Sequence, residues 1–237
     1  MWATAVYSFD HSIVFALNSL VGRYPHFDNG IEFLSENDLK DSIFVAIFWW
    51  HWFRRADTAT LRSTREHLLS TLCAGVVAVL AARILALTLP FRVRPRFEPA
   101  LHFVVPAGNI SDLVDWSAFP SDHAAMFSAF AVGMCFISWR TGLIAMLYTI
   151  FIICLPRIYL GLHYPSDIIA GLALGALVGY CMNGDAVRRN WVRRPMEWER
   201  ASPGGFYVVL FLVSYEFSTM FNGLRAAAAA AIHLASY

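Results

Sequence analysis

Residues 119–167 read FPSDHAAMFSAFAVGMCFISWRTGLIAMLYTIFIICLPRIYLGLHYPSD, and this stretch decides the fold. It begins and ends on the tripeptide Pro-Ser-Asp, at 120–122 and again at 165–167, with apolar runs between and one turn marked by Arg140. Proline is favoured at the first position of a helix. Ser and Asp in the first turn meet unpaired backbone N–H groups and the positive end of the helix dipole. Each tripeptide is therefore predicted to open an apolar helix, and two such starts side by side would form an anion site.

Working outward, the whole chain shares this apolar character. Of its 237 residues 58% are hydrophobic, 15% aromatic and only 15% charged, far more apolar than an average soluble domain, which points to a membrane protein. Lys40 is the sole lysine among 18 cationic residues, and a net charge of +1 leaves no basic surplus for nucleic acid. The four cysteines, Cys73, Cys135, Cys154 and Cys181, each stand alone in an apolar run with no metal or redox spacing, and read as small hydrophobes. Residues 1–37 have no basic start and carry acids throughout, so no secretory signal is expected there.

Runs of about 17 to 25 apolar residues, the length that crosses roughly 30 Å of hydrocarbon, occur at 67–89, 122–139, 141–160, 166–183 and 205–223, the last extended by the alanines of 226–231. A sixth, at 39–53, has a shorter clean core, and its three Trp residues suggest an interfacial belt. The opening DHSIVFALNSLVGRYP mixes polar residues into a short apolar pattern and reads as a helix lying on the membrane surface. The expected fold is all-α: one domain over 1–237, a polytopic membrane bundle of about six transmembrane helices, preceded by an interfacial N-terminal segment at 1–37.

Arginines set the expected orientation. Arg54, Arg55, Arg62 and Arg65, then Arg140, then the five arginines of 188–200 fall on one side if each run crosses once, and that side is expected to be cytoplasmic. LPFRVRPRF (89–97), FPSDHA (119–124) and PRIYLGLHYPSD (156–167) then share the outer face. Taken singly, each Pro-Ser-Asp is a helix cap, His163 a structural histidine, and Arg92, Arg94 and Arg96 a lipid-headgroup patch. Together they bring His123, Arg157, His163, Asp167 and a basic cluster to one membrane face, which argues for chemistry.

These residues resemble the signature motifs of the type-2 phosphatidic acid phosphatase superfamily. Arg-Pro at 94–95, Pro-Ser-Asp-His at 120–123 and R-x5-H-x3-D from Arg157 to Asp167 occur in the family's order, with core motifs over 83–185. The form PSDHA with YLGLHYPSD is similar to bacterial undecaprenyl-diphosphate phosphatases. Three positions depart from the pattern: Leu87 stands where the family has Lys, Asp122 where it has Gly, and Pro156 where it has Ser. Arg92 is a candidate for the missing charge.

The resemblance implies a membrane lipid phosphatase that converts a polyprenyl diphosphate to the monophosphate through a phosphohistidine. His163 would be the nucleophile, Asp167 its orienting partner and His123 the acid and base at the leaving oxygen. Arg94, Arg157, Ser121, Asp122 and Arg92 would line the phosphate site. No metal and no cofactor are expected, the partner is a lipid phosphate in the membrane, and the implied location is a bacterial inner membrane with the site facing the periplasm or exterior. A phosphatidic acid, phosphatidylglycerophosphate or lipid A phosphatase of the same superfamily is equally compatible with the motifs. A transporter would instead place its polar residues near the bilayer midplane. Arg83 and Glu216 are ionisable groups inside apolar runs, open to a functional or a snorkelling reading, and the loop 97–119 with Trp116 is a lid or a connector.

Overall fold

The computed structural model describes residues 2–105 and 114–223, and no strand occurs among them. The alanines of 226–231 and the middle of the loop 97–119 lie outside the described residues. Among the described residues ten α-helices follow one another: α1 Trp2–Asn18, α2 Pro25–Glu36, α3 Leu39–Phe53, α4 Thr58–Thr88, α5 Asp122–Cys135, α6 Trp139–Tyr148, α7 Leu155–Tyr159, α8 Pro165–Asn183, α9 Asp185–Ala201 and α10 Pro203–Ser218. A π-helical turn, Thr149–Cys154, joins α6 to α7 in one continuous apolar rod.

Helix α5 is the axis of the bundle. It is buried at every position from Ala124 to Ala131 and packs against α4, α6 and α8. Its approach to α8 is very close, because Gly171, Gly175 and Gly179 recur every four residues and face the α5 backbone. A Cβ at Gly175 would stand 2.0 Å from the Ala125 carbonyl oxygen, so only glycine permits this spacing. On the other flank α5 meets α3 and α10 through rings, with Phe44 stacked on Phe127 at 4.4 Å and Phe217 edge-on to Phe127 at 5.9 Å.

The helices alternate in direction between two ends. At one end Arg65 pairs with Glu199 at 2.7 Å and Arg188 with Glu66 at 2.6 Å, gathering the arginine-rich connections expected on one side. At the other end α5 and α8 begin, α4 finishes, and the three polar motifs assemble. Among the described residues three helical rods, Thr58–Thr88, Trp139–Tyr159 and Pro165–Asn183, are long and apolar enough to cross a membrane. The other apolar passages are shorter: α3 has 15 residues, α5 has 14 and α10 has 16. At 1.5 Å per residue α5 covers about 21 Å, because residues 136–138 belong to a turn rather than to the run read from sequence. Among the described residues the apolar passages are α3, α4, α5, the α6–α7 rod, α8 and α10, and three of them reach membrane length.

The N-terminal segment forms two helices rather than one surface helix. α1 leaves Tyr7, Phe9 and Phe15 exposed, yet it packs on α7 and α8 with Val14 and Asp10 buried. Asn18 ties it to the loop after α4 through two hydrogen bonds with the Val104 backbone, at 2.7 and 2.9 Å. All four cysteines are free.

Candidate active site

The two Pro-Ser-Asp starts do lie together, and the Ser121 N–H donates to the Asp167 carbonyl at 3.1 Å. Both starts are, however, satisfied from within. The Ser121 hydroxyl caps α5 by accepting from the Ala124 N–H at 3.4 Å. At α8 the anion at the helix start is a side chain: Asp10 accepts from the Ser166 N–H at 2.9 Å and from its hydroxyl at 2.5 Å. Ser121 is fully buried and does not line the adjacent cavity.

That cavity, of about 380 Å³, is where the chemistry collects. His123, His163, Arg94, Arg157, Asp122 and Arg83 line it from the motif side, with Trp116 and Leu162. Ser35, Glu36, Asp38, Lys40 and Asp41 line it from the α2–α3 corner, and Met220 and Asn222 from beyond α10.

The spacing R-x5-H works through a tight turn. After α7 ends, Gly161 adopts φ +67, a left-handed conformation natural only to glycine, and the chain folds back so that the His163 N–H reaches the Arg157 carbonyl at 3.3 Å. This sets His163 beside Arg157 rather than a turn and a half away. The His163 Nδ1 lies 2.8 Å from the Ala118 carbonyl oxygen and must carry the proton there, so Nε2 holds the lone pair. Burial, then Arg94 and Arg157, push His163 well below the ordinary histidine range, which keeps the ring neutral.

Asp167 stands farther off than its expected role requires, with Oδ2 3.9 Å from His163 Nδ1. Its Oδ2 accepts from the Tyr164 N–H at 2.7 Å, and its Oδ1 is paired with Arg92. The tautomer of His163 is thus set by a backbone carbonyl, with Asp167 as a buried carboxyl group behind it. Asp167→Asn is accordingly expected to lower kcat by about 10², less than the roughly 10⁴ lost when a triad carboxylate is the ring's direct partner. Steady-state kcat with KM on one lipid substrate checks this, and a loss near 10⁴ would show that Asp167 closes on the ring during turnover.

His123 has its own carboxylate. Its Nδ1 lies 3.0 Å from Asp122 Oδ1, and the other Asp122 oxygen pairs with Arg83. Asp122, expected among the phosphate ligands, is therefore engaged in positioning His123 and neutralising Arg83. Arg92, also expected there, does not line the cavity. Its guanidinium spans Asp10 at 2.6 Å, Ser166 at 2.8 Å and Asp167, and stacks on the Tyr164 ring at 4.3 Å.

Arg94 and Arg157 remain as expected. Arg94 is pinned by the Trp116 carbonyl at 3.1 Å and the Leu162 carbonyl at 2.8 Å, and burial lowers it to about 10, still cationic at neutral pH. Arg157 is buried with its Nε unpartnered. No carboxylate among the described residues lies within ion-pair distance of either arginine. Two cations without counter-ions facing one cavity suit a single phosphoryl group.

The parts played by several residues were not legible in the sequence. Arg83 brings a guanidinium to the cavity, 4.3 Å from the Trp116 ring, while Leu87, at the position where the family has its lysine, points outward with 86% exposure. The one available signal was an arginine inside an apolar run. Lys40, paired with Asp41 at 3.1 Å, and Asp10 carried no motif, and Asp10 meets partners 82 and 156 residues away. Glu216, the other ionisable group in an apolar run, does not line the cavity.

An apolar helical bundle with a histidine- and arginine-lined cavity at one end defines a membrane protein built to hold an anion. The chain belongs to the PAP2 superfamily, whose profile matches residues 64–191. It is 38% identical over 118 residues to the decaprenylphosphoryl-5-phosphoribose phosphatase of Mycobacterium tuberculosis, covering 50% of this chain and 60% of that protein. It is 25% identical over 117 residues to the undecaprenyl-diphosphatase BcrC of Bacillus subtilis, covering 49% and 56%. The chain thus spans about 60% of the length of the curated relatives it matches. A crystal structure of a PAP2-type phosphatidylglycerolphosphate phosphatase from Bacillus subtilis shares the fold, with a TM-score of 0.51 at 23% identity over 76% of this chain and 85% of that one.

Proposed function

We propose that this protein is a membrane phosphatase of polyprenyl phosphate lipids. The observation that carries the reading is the convergence of His163, His123, Arg94 and Arg157 on one cavity, with the tautomer of His163 set by the Ala118 carbonyl. In this reading His163 Nε2 attacks phosphorus and forms a P–N bond as the bond to the leaving oxygen breaks. His123 gives that oxygen a proton, then takes one from the water that cleaves the phosphohistidine. Arg94 and Arg157 hold the phosphoryl oxygens as charge builds, and Asp167 offsets the positive charge on His163. The six passages are read as crossing the bilayer, with the cavity on the outer face of a bacterial inner membrane and the arginine-rich end in the cytoplasm.

Undecaprenyl diphosphate is the substrate expected from the motifs, partly because Arg92 and Arg96 would meet its extra charge. Neither arginine lines the cavity. The wall from the α2–α3 corner holds Ser35, Glu36, Asp38 and the Lys40–Asp41 pair, three carboxyl groups to one lysine, so it offers acceptors to hydroxyls and its excess of acids disfavours a second phosphate. This favours a phosphomonoester on a hydroxylated headgroup, the kind of group carried by decaprenylphosphoryl-5-phosphoribose, over a diphosphate.

The test is phosphate release from decaprenylphosphoryl-5-phosphoribose and from undecaprenyl diphosphate, in one detergent and in excess EDTA. The phosphosugar lipid is expected to be favoured at least about tenfold in kcat/KM, equivalent to roughly 1.4 kcal/mol of transition-state binding. Equal rates would discard the headgroup assignment. Loss of turnover in EDTA, restored by magnesium, would sink the histidine mechanism.

A further inference from the structure

One fully buried acid takes no part in the chemistry at His163. Asp10 of α1 is 0% exposed, and it meets partners that lie 82 and 156 residues further along the chain. Its Oδ1 accepts from the Ser166 N–H at 2.9 Å, and its Oδ2 from the Ser166 hydroxyl at 2.5 Å and from Arg92 Nη2 at 2.6 Å. A carboxylate taken out of water is costly unless donors replace the water, and here three do. What these donors share is Asp167. Ser166 precedes it in the chain, and Arg92 Nη1 is paired with its Oδ1.

An arginine beside a single carboxylate frequently grips it with both arms of its fork. Arg92 divides its arms instead. Nη2 goes to Asp10, while Nη1 goes to Asp167 and, at 2.8 Å, to the Ser166 hydroxyl oxygen, which in turn donates to Asp10 and closes the ring. Asp167 therefore receives one arm, on Oδ1. Its Oδ2 stays on the Tyr164 N–H at 2.7 Å, 3.9 Å from His163 Nδ1. Asp10 is presented by a packed helix: Val14 shares a buried apolar cluster with Tyr164 and Ile168, and Asn18 is bonded to the Val104 backbone.

We propose that Asp10 is a positioning residue for the hydrolytic site: by holding one arm of Arg92 and the first turn of α8, it keeps Arg92 from closing on Asp167 with both arms, and so keeps Asp167 Oδ2 on the His163 side. Asp10 does not line the cavity, and it acts through Asp167. The proposal rests on the phosphatase reading, and its test separates the two.

The experiment measures kcat and KM of the full chain on decaprenylphosphoryl-5-phosphoribose and undecaprenyl diphosphate, beside melting curves. The variants are Asp10→Asn and Ser166→Ala, each alone and combined with Asp167→Asn. With its oxygen on the Ser166 N–H, the asparagine turns an NH₂ group toward Arg92 and releases that arm. Asp10→Asn is expected to lower kcat about tenfold, a fraction of the roughly 10² that a 1 Å misplacement can cost, with KM changed less than about twofold. In the Asp167→Asn background the further loss should stay below about twofold, because the group through which Asp10 acts is already altered. Ser166→Ala removes only the hydroxyl between Asp10 and Arg92 and should show the same pattern at about threefold, which decides the matter if Asp10→Asn is too unstable to assay.

A loss that persists undiminished in the Asp167→Asn background overturns the proposal and makes Asp10 a structural contact. A raised KM with unchanged kcat overturns it by placing Asp10 in substrate binding. Wild-type kcat in both single variants overturns it too, leaving the phosphatase reading intact. No phosphate release from either lipid by wild type removes the phosphatase reading and the positioning role with it.

Discussion

Replacing His163 with alanine is expected to reduce phosphate release by about 10⁴ or more, the scale on which a covalent nucleophile's loss registers. The side chain is 2% exposed and lies beside two buried arginines, so the position is built around it. Alanine leaves Arg94 and Arg157 in place, and substrate binding should change far less than kcat. The direct measurement is acid-stable and acid-labile label after a rapid quench with a substrate labelled at the scissile phosphate. Wild type should show acid-labile, base-stable protein-bound phosphate, and His163→Ala none. A variant with turnover within tenfold of wild type would mean that His123 or water attacks phosphorus.

The second large effect is expected at Arg157. Its guanidinium is buried, lines the cavity, and has no carboxylate among the described residues within ion-pair distance. A charge kept in that state is costly unless a ligand or a transition state uses it. Arg157→Ala is therefore expected to lower kcat/KM by about 10² to 10³, the range seen when one preorganised donor to a developing oxyanion is removed. Arg157→Lys should recover little, because a point charge cannot supply the paired planar donors. Removing a buried unpaired charge should leave thermal stability unchanged or raised, so a melting curve beside the kinetics separates lost chemistry from lost fold. A less than threefold change in kcat/KM would make Arg157 a structural residue.

The contrast between Arg92 and Arg83 shows where sequence reasoning turned. Both were visible as cations, one beside the motif arginine and one inside an apolar run. Proximity in sequence favoured Arg92. In the fold, its carbonyl accepts from the Ala118 N–H at 2.9 Å and its side chain turns to Asp10 and Asp167 behind the site. Arg83 faces the site because helix α4 carries it there, a turn before the Leu87 position at which the family has its lysine. Asp122 was legible as a departure from the family pattern, but its use was not, since both of its partners had to be in place to show it.

By itself the sequence determined that the chain is an apolar helical protein, that each Pro-Ser-Asp marks a helix start, with Ser121 capping α5 and Pro165 opening α8, and that His123, Arg94, Arg157 and His163 belong to one family of sites. Those are local matters: composition, capping preferences and short motifs with fixed spacing. The tertiary structure decided which anion sits at the start of α8, which carbonyl orients His163, and which cations reach the cavity. Asp10, Ala118, Arg83 and Lys40 are joined to the motifs by hydrogen bonds, ion pairs or a shared cavity wall across 39 to 156 residues. Such contacts leave no periodicity in the chain. They exist only because the glycines of α8 let it lie against α5, bringing the helix starts and the ends of α4 and α7 to one place.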